Sequence, residues 1–363
     1  MATTTRVYNF SAGPAVLPLP VLEEAQRHLV SLPGVGMSVM EISHRSKTFE
    51  DLLSAAIADM RALANIPGHY RVVMLQGGAT QQFSMVPMNL LTPGATADYI
   101  DTGSWADKAA KEARKVGTVN IAATTQAEGY SRIPRQDELK LTRGAAYVHI
   151  TTNNTIEGTE WKTLPEVGDA PLVADASSDI FSGPIDVGRF GLIYAGAQKN
   201  LGPSGVTVVI VREDLLARST DGLPVMLNYK VQADNNSLYN TPNTFGVYIL
   251  GLTMKWLTSN GGLAAIARIN QRKAAKLYAE IDRSGFYRGA AQPDSRSLMN
   301  VTFRLATEEL EALFVKESAA AGLDGLKGHR AVGGMRASIY NAFPEEGVDV
   351  LVDFMKEFER TRG

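Results

Sequence analysis

The chain has 363 residues, 45% hydrophobic and 20% charged, enough for more than one buried core and without the charge bias of a disordered segment. Its 36 basic and 38 acidic residues leave a net charge of −2, which excludes a global attraction for nucleic acid or an anionic membrane surface. The absence of cysteine excludes disulfides, thiolate nucleophiles and thiolate metal ligands, so catalysis must use other groups. Met1 to Phe10 has no apolar signal core and the most apolar runs are of strand length, so a soluble cytoplasmic protein is expected.

In chain order, short apolar runs alternate with helix-like segments. Arg71–Leu75, Ala97–Asp101, Ala146–Ile150, Pro171–Asp175, Leu192–Ala195 and Val206–Val211 read as strands, and Leu52–Leu63 and Ala106–Val116 carry helical spacing between them. Such alternation predicts βαβ units and an α/β fold with a mostly parallel sheet covered by helices. A long helical region follows from Phe245 to Asp282, broken at Asn260-Gly-Gly262. The runs Leu298–Arg304 and Met335–Tyr340 then predict a second, smaller α+β domain.

Polar, glycine-containing clusters follow the C-terminal ends of several of these strands, where ligands bind in open α/β sheets. Gln76-Gly-Gly-Ala-Thr-Gln-Gln-Phe83 follows the strand ending at Leu75. Its glycines allow close backbone approach and its helix start suits a phosphate, although an ordinary strand-to-helix turn reads the same way. It is not a G-x-G-x-x-G fingerprint, which argues against a nicotinamide dehydrogenase. Asp175 ends a strand, and Lys199 lies just beyond the next one in Ala197-Gln-Lys-Asn-Leu-Gly-Pro-Ser-Gly205. A lone lysine is ordinarily a solvated charge. At a strand end, with a carboxylate on the strand before it, this lysine instead suits pyridoxal-phosphate chemistry. That chemistry needs an amine for a Schiff base and an acid to keep the ring nitrogen protonated.

Six segments carry a specific resemblance: Asn9–Pro14 (NFSAGP), Glu41–Ser46 (EISHRS), Gln76–Phe83, Asn154–Gly158 (NTIEG), Asp175–Ser178 (DASS) and Gly196–Gly205 (GAQKNLGPSG). With Tyr239–Asn243, Gly328–Arg330 and Gly333–Ser338, the chain resembles, over nearly its whole length, the phosphoserine aminotransferases. These are class V aminotransferases of pyridoxal-phosphate fold type I.

The resemblance implies a large domain over residues 15–260 with a seven-stranded type of sheet, and a small domain from residues 1–14 and 261–363. It implies Lys199 as anchor and base, Asp175 at the pyridine nitrogen, Thr155 at the ring hydroxyl and Trp105 on the ring face. Gly78, Ala79 and Gln198 would hold the cofactor phosphate, reached by Asn240 and Thr241 across a homodimer interface. His44, Arg45, His329, Arg330 and Arg336 would bind the carboxylate and phosphate of the substrate, arginine because its donor fork matches both anions. Asn154 stands where relatives commonly carry an acidic residue, and Ala79 where some carry arginine. The implied reaction is transamination between O-phospho-L-serine and 2-oxoglutarate in L-serine formation, with a phosphorylated hydroxythreonine of pyridoxine synthesis as a further substrate of bacterial relatives. Other readings are an alanine or serine:glyoxylate aminotransferase, which needs no phosphate site, and a pyridoxal-phosphate-binding protein without turnover.

Overall fold

Each strand of the large sheet sends its side chains alternately into two apolar layers, and this alternation positions the helices. A computed structural model describes residues 6–219 and 222–363; the first five residues of the expected segment 1–14 lie outside the described residues. The sheet has seven strands in the order Tyr70–Leu75, Thr207–Arg212, Leu192–Gly196, Leu172–Asp175, Val148–Thr151, Thr96–Asp101 and Thr118–Thr124. Neighbours are parallel except that Thr207–Arg212 runs antiparallel to both strands beside it. Six of the seven coincide with apolar runs of the sequence. The seventh, Thr118–Thr124, is not evident there because it forms the sheet edge and most of its side chains are only partly buried.

Val72, Met74, Ile193, Ala195, Val208 and Ile210 face one layer, covered by the helices Lys47–Ala64 and Thr244–Ser259. Val73, Leu75, Leu192, Tyr194, Val209 and Val211 face the other, covered by Ala79–Leu90 and Ser104–Ala113. The first of these helices shows why the segments fold locally. Ser46 caps its N-terminus by accepting Phe49 N–H, Asn65 ends it in a left-handed conformation, and Phe49, Leu53, Ala56, Met60 and Ala64 line its buried face. The long helical region divides where the sequence indicates, Gly261 at φ +86° separating Thr244–Ser259 from Gly262–Ser284. No helix among the described residues is long and apolar enough to cross a membrane.

A third apolar core joins Phe10 to Ala274, Leu277, Ile281 and side chains out to Phe358. Around it a three-stranded antiparallel sheet pairs Arg288–Gly289, Asn300–Arg304 and Met335–Ser338, while Tyr8–Asn9 lies parallel to Leu323–Asp324. A buried polar lattice ties this part to the large sheet. Asn153 Nδ2 donates to Ser178 Oγ and Asn300 Oδ1, both at 2.8 Å, and Asn341 donates its N–H to Asn200 Oδ1 and its amide to Phe181 O. Every link sets side-chain direction as well as distance.

Lys273 is fully buried on Gly262–Ser284 and donates to the carbonyls of Ile339, Tyr340 and Phe343 at 2.9, 2.7 and 3.1 Å. Burial pulls its pKa down to about 7, but three carbonyl acceptors suit the three N–H groups of an ammonium better than the two of a neutral amine. Lys273→Met leaves those carbonyls without a donor and is expected to lower stability by about 3 kcal/mol, read as a lower midpoint in urea unfolding.

Candidate active site

The strands Leu172–Asp175 and Leu192–Gly196 run parallel with Asp175 opposite Tyr194. The carboxylate and the turn carrying Lys199 therefore leave the sheet at the same edge. Asp175 is 6% exposed. Its Oδ1 accepts both the N–H and the hydroxyl of Ser177, at 3.0 and 2.6 Å, and Ser177 Oγ in turn accepts Gly196 N–H. Burial pushes the carboxyl pKa up, while Lys199 and Ser177 pull it down. Lys199 Nζ has no hydrogen-bond or ion-pair partner among the described residues. Burial lowers its pKa, Arg336 adds to that effect, and Asp175 opposes it. The amine is thus biased toward its neutral, nucleophilic form.

Trp105 forms the opposite wall: Lys199 Nζ is 5.9 Å and Lys108 Nζ 4.2 Å from the indole centroid. Trp105 Nε1 donates to Thr155 Oγ1 at 2.9 Å, which leaves the threonine hydroxyl its own proton to give. Arg336 Nη1 donates to Thr155 O at 3.1 Å, but its buried Nε finds no acceptor. Glu157 supports this wall from behind, its Oε1 accepting the N–H and hydroxyl of Ser104 at 2.8 and 2.6 Å. Asn154 Nδ2 donates to Thr102 Oγ1 and Thr159 Oγ1, so an amide at this position meets two hydroxyl acceptors.

Gly77 and Gly78, at φ +105° and +107°, precede the helix Ala79–Leu90. Gly78 N–H is taken by Thr207 Oγ1 at 2.8 Å, which corrects the expectation that it is free for a phosphate. The N–H groups of Ala79 and Thr80 at the helix start remain, with nothing within 4 Å of a Cβ built at Gly78. Gln198 lies beside Lys199, its Oε1 2.7 Å from where a Cβ at Gly196 would fall. Together these residues fit a flat aromatic group with a basic ring nitrogen and a terminal anion: a carboxylate for the nitrogen, an unpaired amine, an aromatic face and a helix start.

The remaining expected residues form two further groups. Thr241 Oγ1 lies 3.2 Å from His44 Nδ1, and Thr241 O accepts Gln76 Nε2. His44 and Arg45 line a groove of about 650 Å³ with Arg61 and Asn236, and the buried His44 Nε2 has no partner. Asn240 is half-buried, its amide donating to Thr241 O. No hydrogen bond or ion pair joins this group to Lys199 among the described residues. His329 and Arg330 line a second groove with Arg304 and Glu311, and His329 shares a cavity of about 160 Å³ with Glu157 and Arg336. Burial and the charges of Arg336, Lys108 and Arg330 lower the His329 pKa.

Ser177, Glu157 and Lys108 were not singled out by sequence reading. The Asp-x-Ser spacing of Asp175 and Ser177 carries a local signal, since a serine two residues on can bond the aspartate. Lys108 follows Trp105 by three residues on one helix, hence on one face. Glu157 had no such signal, because its partner Ser104 is 53 residues away.

The chain matches the model of the aminotransferase class-V family over residues 7–351. It is 57% identical to a phosphoserine aminotransferase of Herpetosiphon aurantiacus, over 98% of this chain and 99% of the relative. It is similar in structure to the phosphoserine aminotransferase of Bacillus circulans subsp. alkalophilus, with a TM-score of 0.97, 54% identity and 99% of each chain covered. A pyridoxal-phosphate-bound phosphoserine aminotransferase of Trichomonas vaginalis aligns with a TM-score of 0.93 and 39% identity, over 97% of this chain and 100% of that one. The chain therefore belongs to the class-V aminotransferase family.

A Cβ at Gly103 would stand 2.6 Å from Glu157 Oε2 and 2.7 Å from Asn154 Oδ1. Gly103→Ala is expected to cost about 2 kcal/mol through overpacking and to change the emission of Trp105, both read in one fluorescence-monitored urea titration. Beneath the site, the buried His149 bonds Tyr194 OH through Nε2 and stacks on Tyr99, and burial lowers its pKa from 6.5 to about 3. The unfolded chain binds the extra proton between those values, so stability falls as pH drops through that window. The loss is about 3 kcal/mol by pH 4, and it is expected to vanish in His149→Phe when urea midpoints are compared across pH.

Proposed function

We infer that the chain catalyses reversible transfer of an amino group between O-phospho-L-serine and 2-oxoglutarate, giving 3-phosphohydroxypyruvate and L-glutamate in L-serine formation, with pyridoxal 5′-phosphate as cofactor. The observation that carries this reading is the unpaired Lys199 amine beside the buried Asp175 carboxylate at one sheet edge, in a chain with more than half its residues identical to phosphoserine aminotransferases. An alanine or serine:glyoxylate aminotransferase is disfavoured by the same likeness, and a protein without turnover by the full set of groups.

When bound, pyridoxal phosphate supplies an electron-accepting ring that carries the amino group between donor and acceptor. Asp175, held by Ser177 at one oxygen, keeps a proton at the ring nitrogen with the other. Lys199 anchors the cofactor and moves the proton at the substrate α-carbon, a task suited to an amine whose pKa burial has lowered. Trp105 would stack on the cofactor ring, Thr155 would give its hydroxyl proton to the ring oxygen, and Ala79 N–H with Gln198 would hold the phosphate. Arg336, with an unsatisfied buried Nε, takes the substrate carboxylate, while His329 and Arg330 take its phosphate.

We further propose a cytoplasmic homodimer in which His44, Arg45, Asn240 and Thr241 complete the site of the partner. Support comes from the absence of any hydrogen bond from them to Lys199 among the described residues, the unpartnered His44 Nε2 and the exposed apolar side chains Leu29, Val30, Met37 and Met40 on the adjoining segment. Residues 15–260 are proposed as the large domain, with 1–14 and 261–363 as the small one.

The visible absorbance of the purified holoenzyme tests the assignment. O-phospho-L-serine is expected to bleach the cofactor band at concentrations where L-serine leaves it unchanged, and Lys199→Ala is expected to abolish turnover. Equal reaction with serine or alanine, or turnover retained in Lys199→Ala, overturns it. The mass in solution is expected to be twice the 39.1 kDa of the chain, and a monomer with full activity overturns the shared site.

A further inference from the structure

The segment 327–334, which bears His329 and Arg330, folds back on itself. Gly328 N–H donates to Gly334 O at 2.8 Å, and Val332 and Gly333 both donate to His329 O. The fold-back is tight, since a Cβ at Gly328 would lie 2.1 Å from Gly333 O. Gly333 and Gly334 lie at φ +69° and +68°, a conformation that favours glycine. Internal bonds of this kind give the loop its shape but do not fix where it stands relative to the rest of the site.

Besides the sheet pairing at its flanks, one ion pair joins the loop itself to its neighbours. Arg304 Nε donates to Glu311 Oε1 at 2.7 Å, and Arg304 Nη1 donates to Val332 O at 2.8 Å. Glu311 Oε1 also accepts Leu305 N–H, and Glu311 Oε2 accepts Gly334 N–H at 3.1 Å. Glu311, 7% exposed, starts from the first turns of the helix Glu308–Ala320, and Arg304 ends the strand Asn300–Arg304. Two regular elements of the small domain thus hold the C-terminal half of the loop through the backbone groups of Val332 and Gly334. Gly334 packs directly on the arginine stem, where a Cβ would stand 2.6 Å from Arg304 Cδ. An ion pair exposed at one partner contributes little to global stability, yet a charge-assisted bond to each of two loop positions is well suited to fixing geometry.

We propose that Arg304 and Glu311 are positioning residues that set His329 and Arg330 for the second anionic group of the substrate. The pair acts through the loop and touches neither cofactor nor reacting atoms. This inference rests on the reading of His329 and Arg330 as the phosphate-binding pair.

The test uses the holoenzymes of wild type, Arg304→Gln and Glu311→Gln. Arg304 is a surface residue, so Arg304→Gln keeps the question open even if Glu311→Gln folds poorly. The half-reaction is followed with O-phospho-L-serine and with L-alanine, which has no second anion, and pyridoxal-phosphate affinity is measured by reconstitution of the apo forms. The expected result is a half-saturating concentration for phosphoserine raised roughly tenfold, as a displaced binding group produces, with the limiting rate, the alanine reaction and cofactor affinity within about twofold of wild type. A phosphoserine value unchanged in both variants overturns the proposal, as does an equal loss with alanine, which would mark a general structural effect. A wild type that does not distinguish phosphoserine from serine overturns the underlying reading instead, and so the two failures are distinguishable.

Discussion

A carboxylate and an amine buried at one sheet edge would ordinarily form an ion pair, because isolation of either charge is unfavourable. Here Asp175 is instead held by Ser177, and Lys199 stays beyond ion-pair distance, close enough only for the two charges to influence each other. Had they paired, the amine would be fixed as an ammonium and the carboxylate would be occupied. Their separation leaves each able to meet a different part of one bound molecule. The parallel register of Leu172–Asp175 against Leu192–Gly196 imposes it, and the other walls are arranged around that gap.

The surroundings of the gap follow the same division of labour between groups that touch the ligand space and groups that aim them. Trp105 reaches the space because Glu157 holds the start of its helix through Ser104. Arg336 reaches it from a strand whose neighbours are joined to the large sheet by the buried amide lattice of Asn153, Asn300 and Asn341. In both cases the aiming group belongs to a different stretch of chain from the group it aims. The site is therefore a property of how the two parts dock.

Much of this was legible in the sequence for identifiable physical reasons. The central strands are buried on both faces and so read as continuous apolar runs, and the ligand-facing residues follow their ends. Asp175 and Lys199 stand out because a charge at the end of an apolar run needs an explanation. Thr118–Thr124 escaped because an edge strand with half-exposed side chains lacks that contrast. The occupation of Gly78 N–H by Thr207 was equally hidden, since the antiparallel pairing that brings Thr207 opposite Leu75 leaves no mark on either segment. Glu157 and Glu311 look like ordinary surface acids until long-range packing buries them.

The junction of Tyr8–Asn9 with Leu323–Asp324, and of Phe10 with side chains from Ala274 to Phe358, bears on how the molecule is made. Phe10 waits for the surface that covers it, because the residues of the whole central sheet lie between the two in the sequence. Gly13 also waits, since it packs on the Lys199 stem. Closure of so long a loop belongs late in folding, after the central sheet has formed from more local pairings. Lys199 thus acquires its final surroundings only when segments on opposite sides of the central sheet in the sequence meet.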